Sequence, residues 1–325
     1  MDLSTTYLGL KLNNPIIVAS SGLSKTAEQI KKCEDAGAGA VVMKSLFEEQ
    51  IRNQASEIEQ GDMMHTEAMD YVRAEIDMLY GPRDYIDTIR EVKRSVEIPL
   101  IASVNCYTSK WWTGYAEQLE AAGADALELN VYVYPYDIEK GSYAIETIYF
   151  EILQSVLEKV DIPVSLKLSP YFTSFGNFAE KLDQLGAHGL VLFNRFVQPE
   201  IDIKNMTSSV KPLFDDPISF THALRWVALL SDKLNLDIVA SGNIRTAEDV
   251  IKQILVGSSA IQIASILYQN GLGVIKDLLT GLEAWMKEEN FSTIDEFRGQ
   301  LNEINDPHSN SFIRSQFIKT ITNIE

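Results

Sequence analysis

The stretch AAGADALEL, residues 121–129, recurs in related form at three other places along the chain. The related stretches are DAGAGAVV at 35–42, QLGAHGLVL at 184–192 and LVGSSAIQI at 255–263. Each combines the end of an amphipathic segment, a glycine suited to the left-handed residue that ends a helix, and a short apolar run. Because these three parts repeat in one order, the sequence predicts repeated βα units around a parallel sheet.

Eight apolar runs of this kind occur, and they are nearly continuous, as expected for parallel strands covered on both faces. They lie at 15–20, 40–44, 99–104, 126–130, 163–168, 189–193, 236–241 and 260–264. Helical periodicity occurs between them, at 26–36, 85–96, 115–122, 145–160 and 247–256. The sequence therefore predicts the α/β class and a (β/α)8 TIM barrel, formed as one domain by residues 1–325.

Three long insertions interrupt this repeat, at 47–83, 131–142 and 198–217. Each follows a predicted strand, so we expect long βα loops on the C-terminal face, where barrel enzymes carry their sites. The C-terminal extension, about 290–325, has aromatic residues among charges, and we expect it to pack on the barrel or on a partner subunit.

Composition excludes several classes of function. The formal net charge of −18 disfavours nucleic acid as a partner, although solubility is a simpler use of that charge. Two distant cysteines and four isolated histidines predict neither a disulfide framework nor a metal site. No leader or membrane span is expected, so the predicted location is cytoplasmic. No GxGxxG or P-loop pattern opens a helix, which argues against Rossmann-type dinucleotide binding.

Polar residues occur at or just after the ends of six of the eight runs. One such residue commonly caps the next helix, but six on one face, two of them lysines, favour a functional site. They are Lys44, Asn105, Asn130, Lys167, Asn194 and Ser241.

The seventh and eighth runs lead into small-residue turns, 241–243 and 262–265. In a barrel such turns place backbone N–H groups around a phosphate. Thr246 and Asp249 also fit a capping box for the following helix, and the two interpretations are compatible.

A phosphate site alone fits many ligands, and the other strand ends narrow the choice. A flavin needs a cation or donor near its N1/C2=O edge, which Lys167 suits. It also needs donors along its N3–C4=O edge, which Asn105, Asn130 and the 20–22 turn suit.

Taken in order, seven segments resemble the dihydroorotate dehydrogenase family. They are 14–22, 42–45, 128–130, 165–167, 241–244, 262–265 and 294–299. As an ordered set over most of the chain they are more specific than any single motif. The resemblance implies an FMN-dependent oxidoreductase that transfers hydride between FMN and a small organic substrate, and it suggests a homodimer. The expectation of no nucleic-acid and no membrane partner comes from the charge and from the expected lack of a membrane span.

The resemblance also implies site residues. By its motifs the FMN contacts are Ser21, Gly22, Lys44, Asn130, Lys167, Gly242, Asn243, Ala264 and Ser265. Ser45, Asn105 and Asn194 adjoin the same strand ends and complete the predicted cofactor set. Lys44 and Asn130 are predicted to be catalytic by positioning substrate, together with Asn194 and Arg195 as substrate-binding residues.

The chain departs from the family on the substrate side. The family has Asn-x-x-Cys/Ser-Pro-Asn, whose Cys or Ser is the proton-accepting base, and here the base position holds Val133. Residues 67–71 replace the family's substrate loop, and Asn194-Arg195 replaces an Asn-Ser/Thr pair. Since valine cannot accept a proton, we expect a substrate other than dihydroorotate. Smaller changes, Asn243 and Ala264 in place of glycines, should leave phosphate binding intact.

The proton-transfer group is unassigned by these residues. A Cys106 thiolate near the lysines is one candidate, against a buried and inert cysteine. Tyr132 and Tyr134 would act as acids only if their pKa values were lowered. The simpler interpretation is that they are lid or packing residues. Two other hypotheses for the whole chain stay open: a flavin-binding module without catalysis, and a flavin-free barrel that binds a phosphorylated ligand.

Overall fold

Eight parallel strands close into a barrel in the computed structural model, which describes residues 1–50, 82–108, 113–194, 199–210 and 217–306. Each strand pairs with the next along the chain, and β8 pairs with β1, with Ile261 opposite Ile16. The predicted (β/α)8 TIM barrel is therefore confirmed. The strands are β1 Ile16–Val18, β2 Ala40–Val42, β3 Leu100–Cys106, β4 Ala126–Val131, β5 Val164–Leu168, β6 Gly189–Leu192, β7 Asp237–Ser241 and β8 Ala260–Ile263.

Helices follow the strands and cover the outside of the barrel, where their apolar faces join one core with the outward side chains of the strands. The described helices are α1 Ala27–Asp35, α2 Pro82–Ser95, α3 Thr113–Ala121, α4 Ser142–Leu157, α5 Phe175–Gln184, α6 Pro217–Leu230, α7 Ala247–Leu255, α8 Ser265–Asn270 and α9 Val274–Glu288. Among the described residues, no helix has both the length and the apolar character needed to cross a membrane.

Short strands that the periodicity did not predict complete the fold. The antiparallel pair Thr5–Tyr7 and Leu10–Leu12 lies at the N-terminal end of the barrel, where Tyr7 and Leu12 are fully buried against inward side chains of the strands. A second antiparallel pair, Pro199–Asp202 and Thr207–Val210, occupies part of the 198–217 insertion. Three or four residues are too few for alternation to identify a strand.

The barrel interior changes from apolar to polar along its axis. Ala126 and Ala260 belong to an inward apolar layer near the N-terminal end. Because side chains alternate along a strand, the residues two and four positions further, such as Glu128 and Asn130 or Gln262, also face inward. The C-terminal half of the barrel thus presents polar side chains to its mouth.

The C-terminal extension packs on the barrel as far as it is described. Phe297 is fully buried, with its ring centroid 5.0 Å from that of Trp285 and 5.3 Å from that of Phe291. The Leu301 N–H donates to the Leu255 carbonyl of α7. Residues 307–325, like 51–81 of the first insertion, lie outside the described residues.

Candidate functional site

A pocket at the C-terminal mouth joins the two small-residue turns to Lys167. Its wall comes from the ends of β1, β5, β6, β7 and β8, so parts distant in sequence meet at one place. The lining residues are Ala19, Ser20, Lys167, Phe193, Asn194, Ser241, Gly242, Asn243, Ile244, Gln262, Ile263, Ala264 and Ser265. The predicted phosphate turns and the predicted flavin-ring lysine therefore share one pocket.

The turn after β7 has an unusual backbone. Gly242 has φ +115° and Asn243 φ +50°, so two successive residues are left-handed. A Cβ on Gly242 would lie 3.0 Å from Ser219 Oγ, which leaves little room for a side chain. The predicted capping box is confirmed, since Thr246 Oγ1 accepts from the Asp249 N–H at 3.2 Å. The capping box satisfies backbone groups at the start of α7, and the partly buried turn at Gly242 and Asn243 lines the pocket.

The turns after β1 and β8 approach each other closely. A Cβ on Gly22 would lie 2.8 Å from Tyr268 Oη of α8, so a glycine here lets the β1 turn rest against that helix. Ser21 Oγ accepts from the Leu23 N–H at 3.3 Å and so caps a 3-10 turn. Ala264 and Ser265 stand where β8 passes into α8. Of these four small residues, Ala264 and Ser265 line the pocket and Ser21 and Gly22 do not.

Lys167 is almost fully buried in the barrel and still carries a hydrogen-bond partner. Its Nζ donates to Gln262 Oε1 at 2.8 Å, and Gln262 Nε2 donates to the Glu128 carboxylate. Burial lowers the pKa of Lys167, and the neighbouring Glu128 charge opposes that shift. An amino group joined through one amide to a buried carboxylate therefore lies at the floor of the pocket, where it supplies the donor that a flavin ring requires.

Amide side chains stand beside this lysine. In the strand register Asn105 lies opposite Asn130, and Asn130 lies opposite Lys167, so the three occupy one level of the mouth. Asn194 Nδ2 donates to Asn130 Oδ1 at 2.6 Å, which fixes the orientation of both amides. The structure thus brings together four residues that the sequence predicted separately.

Lys44 follows the end of β2, and its Nζ lies 5.7 Å from the centroid of the Phe47 ring. Burial, and next the positive charge of Lys25, lower the pKa of its ammonium. Ser45 beside it joins a chain of hydroxyls, with Ser20 Oγ at 2.9 Å and Ser103 Oγ at 2.8 Å from Ser45 Oγ. Since Ser20 lines the pocket, this chain of hydroxyls connects the end of β2 to the pocket.

Cys106 is placed differently from its predicted role. It follows the inward-facing Asn105, belongs to the outer core between barrel and helices, and is fully buried. Burial, and next the charge of Glu48, raise the pKa of its thiol well above the ordinary value. The hypothesis of a Cys106 thiolate as base is therefore contradicted, and the inert interpretation holds.

The loop after β4 has an exposed aromatic surface. Tyr132 and Tyr134 are 44% and 52% exposed, and the Tyr134 ring meets the Tyr171 ring edge-on at 5.9 Å. Val133 between them is partly buried and packs against the outer core. Arg195 and the 67–71 loop lie outside the described residues. In the described part of the chain no three His, Cys, Asp or Glu side chains are grouped to hold a metal ion.

Comparison with known proteins decides the family. The family model described as dihydroorotate dehydrogenase matches residues 2–286. The chain belongs to the dihydroorotate dehydrogenase family. Its members are FMN-dependent oxidoreductases that act on CH–CH bonds, so FMN is the cofactor and the chain is an enzyme of this class.

Relatives named dihydroorotate dehydrogenase B (NAD(+)), catalytic subunit, are similar over nearly the whole chain. The protein of Thermoplasma volcanium is 30% identical, covering 92% of this chain and 98% of its own. Those of Thermoplasma acidophilum and Pyrococcus abyssi are each 28% identical, covering 92% and 91% of this chain and 98% of their own.

Sequence reasoning missed two members of the site. Glu128 and Gln262 were read as parts of motifs, without a role of their own. Glu128 precedes Asn130 by two residues on β4, so alternation alone would have placed both on the inward face. Its pairing with Gln262 joins β4 to β8, and no local pattern predicts that contact.

Proposed function

We propose that this member of the family oxidises or reduces a small organic molecule other than dihydroorotate. The observation that carries the proposal is Val133, which occupies the position where the family has its Cys or Ser base. An isopropyl group has no site for a proton, so the usual removal of the substrate's C5 proton has no agent there. A chain that keeps its flavin-side residues and lacks this base fits a different substrate.

The pocket supports a division of roles within the mouth. Backbone N–H groups of the 242–243 and 264–265 turns hold the phosphate, with Ser21 and Gly22 closing the site from β1. Lys167 lies at the ring, where its positive charge stabilises the negative charge that reduction brings to a flavin. FMN, when bound, supplies the hydride acceptor or donor.

Substrate recognition falls to the outer part of the mouth. The paired amides of Asn130 and Asn194 have a fixed orientation, and Asn105 stands beside them. Lys44 contributes an amino group that positions the substrate. Arg195 follows Asn194 directly in the sequence and is proposed as the anion-binding group, which suits a substrate with a carboxylate.

Lys44 is also the proposed proton carrier. Because the pKa of Lys44 is lowered, a larger fraction of it is the neutral amine at a given pH than for an exposed lysine. Oxidation of a substrate CH–CH bond to C=C would remove a hydride from one carbon, which bound FMN would accept, and a proton from the neighbouring carbon. The Lys44 amine takes that proton and becomes an ammonium, and the reverse transfer accompanies reduction.

The test begins with the purified protein loaded with FMN and reduced by light without oxygen. A panel of quinones, fumarate and pyrimidines is then screened for compounds that reoxidise the flavin faster than oxygen does. A compound of this kind other than orotate would support the proposal. If none of them reacts, the proposed change of substrate loses its support, and rapid reduction by dihydroorotate would contradict it.

A gain-of-function variant sharpens this test. Val133→Ser restores a hydroxyl at the base position, and Val133→Ala is its matched control without one. If the missing base is what excludes dihydroorotate, the serine variant should reduce its flavin with dihydroorotate faster than the alanine variant does. Equal rates for the two variants would show that position 133 does not decide the substrate.

A further inference from the structure

Three buried side chains form a chain across the barrel directly below the pocket. Lys167 Nζ on β5 donates to Gln262 Oε1 on β8 at 2.8 Å, and Gln262 Nε2 donates to Glu128 Oε2 on β4. The exposed fractions are 7% for Lys167, 1% for Gln262 and 0% for Glu128. An ammonium and a carboxylate are thus joined through one amide inside the barrel.

The chemistry of the two ends fixes the amide between them. A lysine ammonium has donors alone, so Gln262 must turn its oxygen toward Lys167. Its NH2 group then faces Glu128, which accepts as a carboxylate. A flipped amide would set donor against donor and acceptor against acceptor. The charge at Glu128 therefore determines where the acceptor for the Lys167 ammonium points.

Glu128 destabilises the fold at this position. Its Oε1 is buried and makes no hydrogen bond to any described residue. A buried carboxylate with an unmatched oxygen costs free energy that an apolar side chain of similar size would not. The inward layer next to Glu128, toward the N-terminal end of the barrel, consists of apolar side chains, so packing against that layer does not require a charge. A carboxylate retained here despite this unfavourable free energy indicates a role in the adjoining pocket.

Glu128 is the negative group that faces Lys167. Burial favours the neutral amine of Lys167, and the Glu128 charge favours its ammonium. Two other titratable groups face Glu128, Tyr7 from the N-terminal strand pair and Tyr85 from α2. Burial raises the pKa of both phenols, so each stays neutral near pH 7 and neither replaces the carboxylate.

We propose that Glu128 is a positioning residue of the flavin site, which acts through Gln262 to keep Lys167 protonated and aimed at the FMN ring. The inference rests on the proposed place of Lys167 at the ring. It adds a carboxylate that touches neither FMN nor substrate and still sets how readily the flavin is reduced.

The experiment measures the reduction potential of bound FMN against pH in Glu128→Gln, Lys167→Met and wild-type protein. Glutamine keeps the shape and removes the counter-charge, so Lys167 should lose its proton at neutral and alkaline pH. The reduction equilibrium should then fall by about tenfold, which is about 30 mV for two electrons. Acidification should restore the wild-type potential in Glu128→Gln and should not restore it in Lys167→Met.

One control and one further test variant accompany these proteins. Glu146→Gln removes another buried carboxylate, on α4 outside the barrel, and should leave the potential unchanged. Gln262→Met breaks the connection while keeping both charges, and should lower the potential in the same direction as Glu128→Gln. It also serves if Glu128→Gln does not fold.

An unchanged potential in Glu128→Gln would overturn the inference, as would a raised potential without pH dependence, because Lys167 would then stay charged without its partner. If Glu128→Gln folds poorly, an unchanged potential in Gln262→Met has the same meaning. If Lys167→Met itself matches the wild type, the proposed place of Lys167 fails first. A changed Lys167→Met with an unchanged Glu128→Gln refutes this inference alone.

Discussion

Gly242→Ala should weaken FMN binding through the backbone of the phosphate turn. Gly242 has φ +115°, and a left-handed conformation costs a residue with a Cβ about 1–2 kcal/mol. The new Cβ would also lie 3.0 Å from Ser219 Oγ and 3.2 Å from Ser219 Cβ, so the turn must shift. If relief of this strain moves the N–H groups away from the phosphate, the same 1–2 kcal/mol is lost from binding, about 5- to 30-fold in Kd.

The assay is a titration of flavin-free protein with FMN, followed by the change in flavin fluorescence. Gly9→Ala is a matched control, because Gly9 also has a positive φ, +73°, and nothing lies within 4 Å of the added Cβ. Gly9 joins the two short strands at the N-terminal end of the barrel, far from the mouth. It should lose stability and keep FMN affinity. Equal FMN affinity in Gly242→Ala and the wild type would refute the placement of the phosphate at this turn.

Further predictions concern the proton, the cysteine and the extension. Because burial and Lys25 lower the pKa of Lys44 from 10.5, substrate oxidation should rise with pH through that lowered pKa as the neutral amine appears. Lys44→Met should flatten the pH–rate profile and slow turnover by about 100-fold or more, and a wild-type profile in this variant would exclude Lys44 as proton carrier. Cys106→Ala should turn over as fast as the wild type, since the buried thiol faces the outer core; a large loss of rate would revive the base hypothesis. Phe297→Ala should cost about 3–5 kcal/mol in urea denaturation, because the ring is fully buried where the extension meets α9, and a change below about 1 kcal/mol would show that the extension adds little stability.

The sequence predicted the barrel well because its signals are local and repeated. Each helix end, glycine and apolar run lies within about ten residues, and the same joint occurs four times. Alternation is also a local property, so polar residues at strand ends such as Lys44, Asn130 and Lys167 could be assigned to one mouth. Lys167 and both small turns line one pocket, whereas Lys44 and Asn130 are not among its lining residues, so their part in the site stays a prediction.

Contacts between distant strands were not predictable in the same way. The chain from Lys167 through Gln262 to Glu128 joins residues up to 134 positions apart, and it depends on the barrel's closure. The orientation of Cys106 stayed open in the sequence for a related reason: a position close to the mouth in sequence does not say which side of a strand a residue faces. The two antiparallel strand pairs were missed because strands of three or four residues carry too little periodic signal.

The most direct test of the account is a crystal structure of the protein with FMN bound. We predict the phosphate within hydrogen-bonding distance of backbone N–H groups at 242–243 and 264–265, and Lys167 Nζ at the N1/C2=O edge of the ring. A phosphate bound elsewhere, or a ring that lies away from Lys167, would contradict the proposed site.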